Sequence, residues 1–469
     1  MQRFRAAVTI GLMPFPFIQR ISAAALSLAF SFAAQVSGGA QGFTEEQEQA
    51  LRAIARGEST AWPGLDSDQH ALVRQKAESY LDRYQDAHQP HGFTAEVLWT
   101  DRDRSGIERY EGLGDGVTWT GHYLAALSLR QYVEPSAETL GEILDILDRL
   151  DALISMTGRT GYVPRYAGPA DDPAYAAYYS RYGLGPSLFR RGLGTLAYRG
   201  VAPHKDFVWL GNSSRDTYDG VHFGLATTWA YLDDGEVRAK VESLVIRIGR
   251  RLEADRFFIC DGRGHLAWPS LRWQSAWLRL MLSAAPQEFS RLRPQYAFAS
   301  CLLRRSGLSL RPAWSADYYP NNLNMIRMFT LCVLEDDPDI REDYETMVRE
   351  AFRNEAATHL NAHFAAIYLL VTGDEDAVAT ATIEGCLVDF PDEKWADPVD
   401  NRTLPGIEMR DDRFARYAFL PNERPHNDFL WQRPPALAVR TLDEPREYPG
   451  IDMFLPYWMA RAAGILAPG

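Results

Sequence analysis

Four cysteines in 469 residues, at positions 260, 301, 332 and 386, form no CxxC pair, so a small disulfide-framed domain is excluded. Cys301 and Cys332 sit inside apolar helical patterns and are expected as buried free thiols, although one disulfide stays open if the chain is exported. There is no HExxH, no Cys/His cluster, no EF-hand loop and no glycine-rich phosphate loop, and no metal or other cofactor is expected. Cations are in deficit: 49 Lys and Arg face 62 Asp and Glu, a net charge of −13, which argues against nucleic acid as a partner. An acidic sugar held by a few local arginines remains open. Period-two runs of β-branched residues are scarce, and no fixed repeat period marks a solenoid.

What the chain has begins with a leader. Arg3, Arg5 and Arg20 occur without an acid, an apolar run follows from Ile21 to Ala34, and small residues continue to Ala40. This is the pattern of a secretory signal, expected over residues 1–42, with cleavage after Ala33 or Ala40 and a secreted or periplasmic mature protein. The apolar run is shorter than the roughly 20 residues of a membrane-spanning helix, so no stable membrane insertion is expected once the signal is removed. Residues 43–469 are expected as one domain, with residues 43–100 a helical cover formed by Glu45 to Arg56 and Ser67 to Tyr84.

Beyond the cover, two kinds of helix alternate. Ser136 to Leu153, Glu236 to Leu252 and Asp343 to Phe352 are apolar on one face only. Trp119 to Leu129, Val221 to Leu232, Trp273 to Leu282, Leu323 to Leu334, Leu360 to Val371 and Phe454 to Ile465 are apolar nearly all round and must be buried on every side. Such alternation predicts an all-α fold, an (α/α)6-type toroid of inner and outer helices with few short strands in loops. The interval from Thr157 to Asn212, rich in tyrosine, glycine and proline, reads as an ordered loop over its mouth or as a packing insert.

Two phrases stand out. Ser214-Arg215-Asp216-Thr217-Tyr218-Asp219-Gly220-Val221-His222 runs into an apolar helix, and Gly114-Asp115-Gly116-Val117-Thr118-Trp119-Thr120-Gly121-His122 does the same. Acids favour helix N-termini as caps, but a cap does not call for Trp119, His122, Tyr218 and His222 in the following turns. The doubled phrase predicts one shared pocket, with Asp115, Asp216 and Asp219 as the candidate catalytic acids. Glu111, Arg215, Trp268, Asn321, Asn322, Asp428 and Trp431, with the aromatic and His residues just named, are candidates for binding substrate. Within His426 to Arg433, Phe429 and Leu430 are expected to anchor the segment, while Asp428 and Trp431 face the mouth; the competing reading pairs Asp428 with Arg433 or with a nearby helix end as a purely structural brace.

Carboxylates, amides and flat aromatics together suit a sugar, whose ring faces are apolar and whose hydroxyls need acceptors and donors. Glycoside hydrolysis uses two carboxyl groups, one protonated and one ionised. The organisation from Glu108 onward resembles the secreted α/α-toroid carbohydrate-active enzymes, which include glycoside hydrolases and polysaccharide lyases. Gly114-Asp115-Gly116 with Trp119-Thr120-Gly121 is similar to the aspartate-bearing helix start of unsaturated glucuronyl and rhamnogalacturonyl hydrolases. The resemblance implies a glycosidase with a carbohydrate substrate. Two alternatives stand beside it: a polysaccharide lyase or sugar epimerase using His122, His222, His363 or Tyr218, and a non-catalytic glycan-binding envelope protein. The sugar, the linkage and the oligomeric state are not legible in the sequence.

Overall fold

The computed structural model describes residues 42–182, 196–261, 266–426 and 428–467. Apart from its last residue, the expected signal lies outside them, as does Asn427 within the His426 to Arg433 segment. The described chain is mostly helical with few short strands, and none of its helices is long and apolar enough to cross a membrane.

Helices α1 (Glu45–Arg56) and α2 (Ser67–Ala87) each open on a reciprocal capping box, Thr44 with Gln47 and Asp66 with Gln69. Then follow α3 (Gly116–Val133), α4 (Ala137–Met156), the short α5 (Pro173–Tyr179), α6 (Arg215–Tyr231) and α7 (Gly235–Ala254). The chain continues with α8 (Gln274–Ala284), the one-turn α9 (Pro286–Phe289), α10 (Arg293–Ser306), α11 (Pro320–Leu334) and α12 (Pro338–Ala351). Last come α13 (Ala362–Thr372), α14 (Ala377–Val388) and α15 (Ile451–Ala462).

All six stretches read as apolar all round fall on helices, namely α3, α6, α8, α11, α13 and α15, and each is buried along most of its length. The three one-faced stretches are α4, α7 and α12, which bury one stripe each. In space, α3 lies against α6 and α15, α11 against α6, α8 and α13, and α13 against α15. On the other side α4 covers α3, α7 covers α6 and α8, α12 covers α11 and α13, and α14 covers α13 and α15. The N-terminal helices join this second set: α2 packs on α15 and α14, and α1 on α14. Those contacts leave most of α14 buried.

The strands lie in the connections. Ile107–Glu111, Glu96–Trp99, Glu444–Glu447 and Trp395–Ala396 form an antiparallel sheet in that order, which sets Glu96 opposite Glu111. Tyr166–Pro169, Phe207–Leu210 and Ala197–Arg199 form another. Around it Tyr162, Tyr166, Tyr175, Tyr178 and Tyr179 are all buried, so the described part of the tyrosine-rich interval is packed structure.

Candidate active site

The site begins with glycine. A Cβ on Gly220 would lie 2.4 Å from the Thr118 carbonyl oxygen, one on Gly121 would lie 1.9 Å from the Gly220 oxygen, and one on Gly224 would lie 2.5 Å from the Gly121 oxygen. Backbone therefore touches backbone where α3 and α6 meet. Thr118 matching Gly220 and Gly121 matching Gly224 means the two helices run parallel, so their N-termini sit side by side. One turn before these contacts lie Asp115 on α3 and Asp216 on α6.

Asp115 occupies the N-cap position of α3 but makes no capping hydrogen bond. Its Oδ1 instead meets Arg165 Nη1 at 3.2 Å. Burial pushes its carboxyl above the usual range; Arg165 opposes the shift, and the carboxylates of Asp216 and Asp428 add to it. Yet 38% of its side chain stays exposed. Surrounding protein desolvates the carboxyl, while part of the side chain still faces solvent. Asp216, half-buried in the first turn of α6, lies 3.2 Å from its exposed neighbour Arg215; the cap of that helix is Ser214.

Asp428 approaches from the C-terminal loops. It adopts the left-handed region at φ 70°, a conformation that non-glycine residues hold only under tertiary constraint. The constraint is a buried ion pair: Lys394 Nζ donates to Asp452 Oδ2 at 2.7 Å and to the Asp428 carbonyl at 2.8 Å, while Asp452 Oδ2 accepts the Leu430 N–H at 2.8 Å. The side chain of Asp428 pairs with Arg433, as the brace reading expected, and it also acts electrostatically on Asp115.

Glu96 and Glu111 complete the acidic wall from the sheet. Glu111 is held below the ordinary carboxylate range because Arg181 and Arg109, at 2.6 Å each, outweigh the effect of its burial. Glu96 has a single weaker partner, Arg446 at 3.4 Å, and burial with a contribution from Asp428 raises it to about 8.

Beneath these acids, Trp119 meets Tyr319, Phe429, His122 and Trp431 through ring contacts of 4.7 to 6.2 Å. The Tyr319 hydroxyl has no hydrogen-bond partner among the described residues, and burial, reinforced by Asp115, Asp216 and Asp219, raises its pKa well above normal.

Several expected site residues are committed elsewhere. Asp219 is 1% exposed: Trp277 Nε1 donates to Oδ1 at 2.8 Å and Arg327 pairs with Oδ2. The Tyr218 hydroxyl accepts the Val163 N–H at 3.1 Å, and Asn321 makes two hydrogen bonds to the backbone of Arg311. His122 and His222 each place Nδ1 against a backbone carbonyl four residues earlier, at 2.9 and 2.6 Å, and burial lowers both to about 4, so they are neutral. Asn322 Nδ2 then donates to His122 Nε2 at 3.2 Å. Trp431, expected to face the mouth, is fully buried, because its indole finds apolar and aromatic neighbours inside, stacking on Phe429 and His122. Trp268 is the reverse case, 60% exposed and stacked on Phe258.

Glu96, Arg165, Tyr319 and the Lys394–Asp452 pair carry no motif in the sequence. No group of three or more His, Cys, Asp or Glu among the described residues is arranged to hold a metal ion. No protein-family model, curated protein or solved structure matches the chain.

Proposed function

We propose that this protein is an exported glycoside hydrolase in which α3, α6, α8, α11, α13 and α15 form the inner ring of an (α/α)6 toroid. The neighbour relations support the ring, since each of these helices packs on the next and α15 returns to α3. Asp115 is the proton donor and Asp216 the base or nucleophile, with the Asp216 and Asp428 carboxylates favouring the protonated donor. The observation that carries the reading is Asp115 itself: a carboxyl at a helix start that caps nothing, raised by burial and two neighbouring carboxylates, and open to solvent. A donor must be protonated near the working pH, and this environment favours that form. In this scheme Asp219 is a positioning residue: the Trp277 and Arg327 bonds to its carboxylate fix the first turns of α6 and with them Asp216.

A glycan panel assayed for new reducing ends tests the activity. Asp115→Asn and Asp216→Asn should each lower turnover by about 10²- to 10⁴-fold, the usual span of a general acid or base, with circular dichroism unchanged. Wild-type turnover in both variants overturns the assignment. The unpartnered Tyr319 hydroxyl beside Asp115 favours one second reading, a lyase in which that oxygen accepts a proton. Its raised pKa works against the ionised form, and products absorbing in the ultraviolet would select the lyase.

A further inference from the structure

Beside Trp119 the protein closes around a group of polar atoms that have no protein partner among the described residues. Both ring nitrogens of His363, the indole nitrogen of Trp431 and Oδ1 of Asn322 are buried without a hydrogen-bond partner among the described residues. All three side chains are at least 99% buried. They are neighbours: His363 and Trp431 are 4.6 Å apart by ring centroids, His122 lies 6.2 Å from His363 and 5.4 Å from Trp431, and Asn322 is bonded to His122. Phe223 walls the group on the α6 side, 5.2 Å from His122 and 6.4 Å from His363.

The bonding pattern cannot be repaired internally. His122 uses Nδ1–H on the Thr118 carbonyl, so its Nε2 is an acceptor and requires the amide nitrogen of Asn322, which leaves Oδ1 of Asn322 facing away as a free acceptor. Turning that amide would set two acceptors against each other. Turning the His363 ring exchanges one unpartnered nitrogen for the other. A neutral His363 offers one donor and one acceptor, Trp431 one donor and Asn322 one acceptor. Among the described residues no carboxylate and no cationic group acts on His363 or His122. Two donors and two acceptors match an uncharged molecule that both gives and takes hydrogen bonds, and buried polar groups in folded proteins are satisfied in this way by water. The two nitrogens of one imidazole point in divergent directions, so one water cannot serve both.

We propose that His363, Trp431 and Asn322 form a closed hydration site holding at least two ordered waters between α3, α11, α13 and the Asp428–Trp431 segment. The site does not depend on the hydrolase reading. It gives the cleft floor a polar backing, because Trp119 touches both His122 and Trp431.

The experiment uses the full mature chain. A high-resolution crystal structure should show two or more waters within hydrogen-bonding distance of the His363 nitrogens, Trp431 Nε1 and Asn322 Oδ1. In solution, the Trp431 indole proton should give a direct cross-relaxation peak with water while remaining slow to exchange. Trp431→Phe keeps the ring and removes the donor; it should lose that peak and keep the water at His363. If the variant does not fold, the wild-type indole peak decides alone. Direct protein hydrogen bonds to both His363 nitrogens, or an indole proton with no water contact, overturn the proposal.

Discussion

The starts of α3 and α6 carry nearly the same phrase and use it in opposite ways. On α3 the acid stands at the cap position, makes no cap, and stays 38% exposed against Arg165. On α6 the cap is Ser214, Asp216 takes the first turn, and Asp219, a turn further in, is sealed between Trp277 and Arg327. The difference shows that an aspartate beside an apolar helix is defined by depth. At the rim a carboxylate can meet a ligand; one turn deeper it needs a complete set of internal partners, and then it serves to hold its helix in place.

The comparison breaks first if depth does not set the cost of removal. Arg327→Met leaves the Asp219 charge buried and unpaired, and removing one partner of such a pair costs about 3 to 5 kcal/mol. Urea unfolding should show a loss of that size, whereas Asp115→Asn should leave the midpoint nearly unchanged. Trp431→Ala belongs with the deep set: truncating a fully buried tryptophan costs about 3 to 5 kcal/mol. A variant with wild-type stability would contradict the buried stack on Phe429 and His122.

A second prediction sharpens the register between the two helices. Gly121→Ala places a methyl against the Gly220 carbonyl, and overpacking of this kind costs about 1 to 3 kcal/mol. Gly141→Ala, in the middle of α4 with nothing within 4 Å of the added carbon, should instead be neutral or slightly stabilising. Thermal melting of the two variants checks both signs. Equal destabilisation would mean that the close approach of α3 to α6 is not what fixes the pair of acids.

The apolar rhythm of the chain made the helices legible, because a stretch apolar all round has one stable environment, and all six such stretches are buried helices. Ala377–Val388 escapes the same reading: it is apolar overall, but its small residues, Ala, Thr and Gly among them, show no one-sided periodicity, and in the fold α1 and α2 cover it. At the site, Asp115, Trp119 and Asp216 were legible because their phrase is denser in polar and aromatic groups than capping requires. Glu96 and Lys394 were not, since each gains its place from a partner distant in the chain, Arg446 for Glu96 and Asp452 for Lys394. Trp431 was misplaced for a related reason: polar neighbours in sequence suggested the mouth, while its ring partners Trp119, His122 and His363 come from other helices.

The third prediction concerns pH and the shallow wall. Glu96 is 17% exposed, and its carboxyl rises from the ordinary 4.5 to about 8 on folding. A carboxyl that holds its proton more tightly when folded contributes its full stability below the unfolded value and loses it as pH rises through the folded one. Stability should therefore decline between about pH 4.5 and 8. Glu96→Gln cannot ionise, so it should flatten that decline and exceed the wild type at high pH by on the order of 1 kcal/mol after allowance for solvent screening. Melting temperatures measured across this range check it; parallel curves for the two proteins would show that Glu96 ionises freely in the cleft.

The smallest effect on stability is expected at Trp268. It is 60% exposed and stacked on Phe258 at 6.1 Å with an interplanar angle of 23°, so its removal uncovers little that was dry. Exposed substitutions away from caps and buried networks stay within about 0.5 kcal/mol, and Trp268→Ala should melt with the wild type. Trp268 precedes α8, the helix whose Trp277 holds Asp219, and under the proposed glycosidase function its exposed flat face offers a stacking surface for a pyranose ring beyond the reacting one. Affinity for a long oligosaccharide should fall several-fold, roughly 1 kcal/mol for the loss of one aromatic contact, while affinity for a short one is unchanged. Equal loss for both lengths would place Trp268 inside the cleft with Asp115 and Asp216. No loss for either would leave the exposed tryptophan outside substrate recognition and confine binding to the wall formed by α3, α6 and the Asp428 loop.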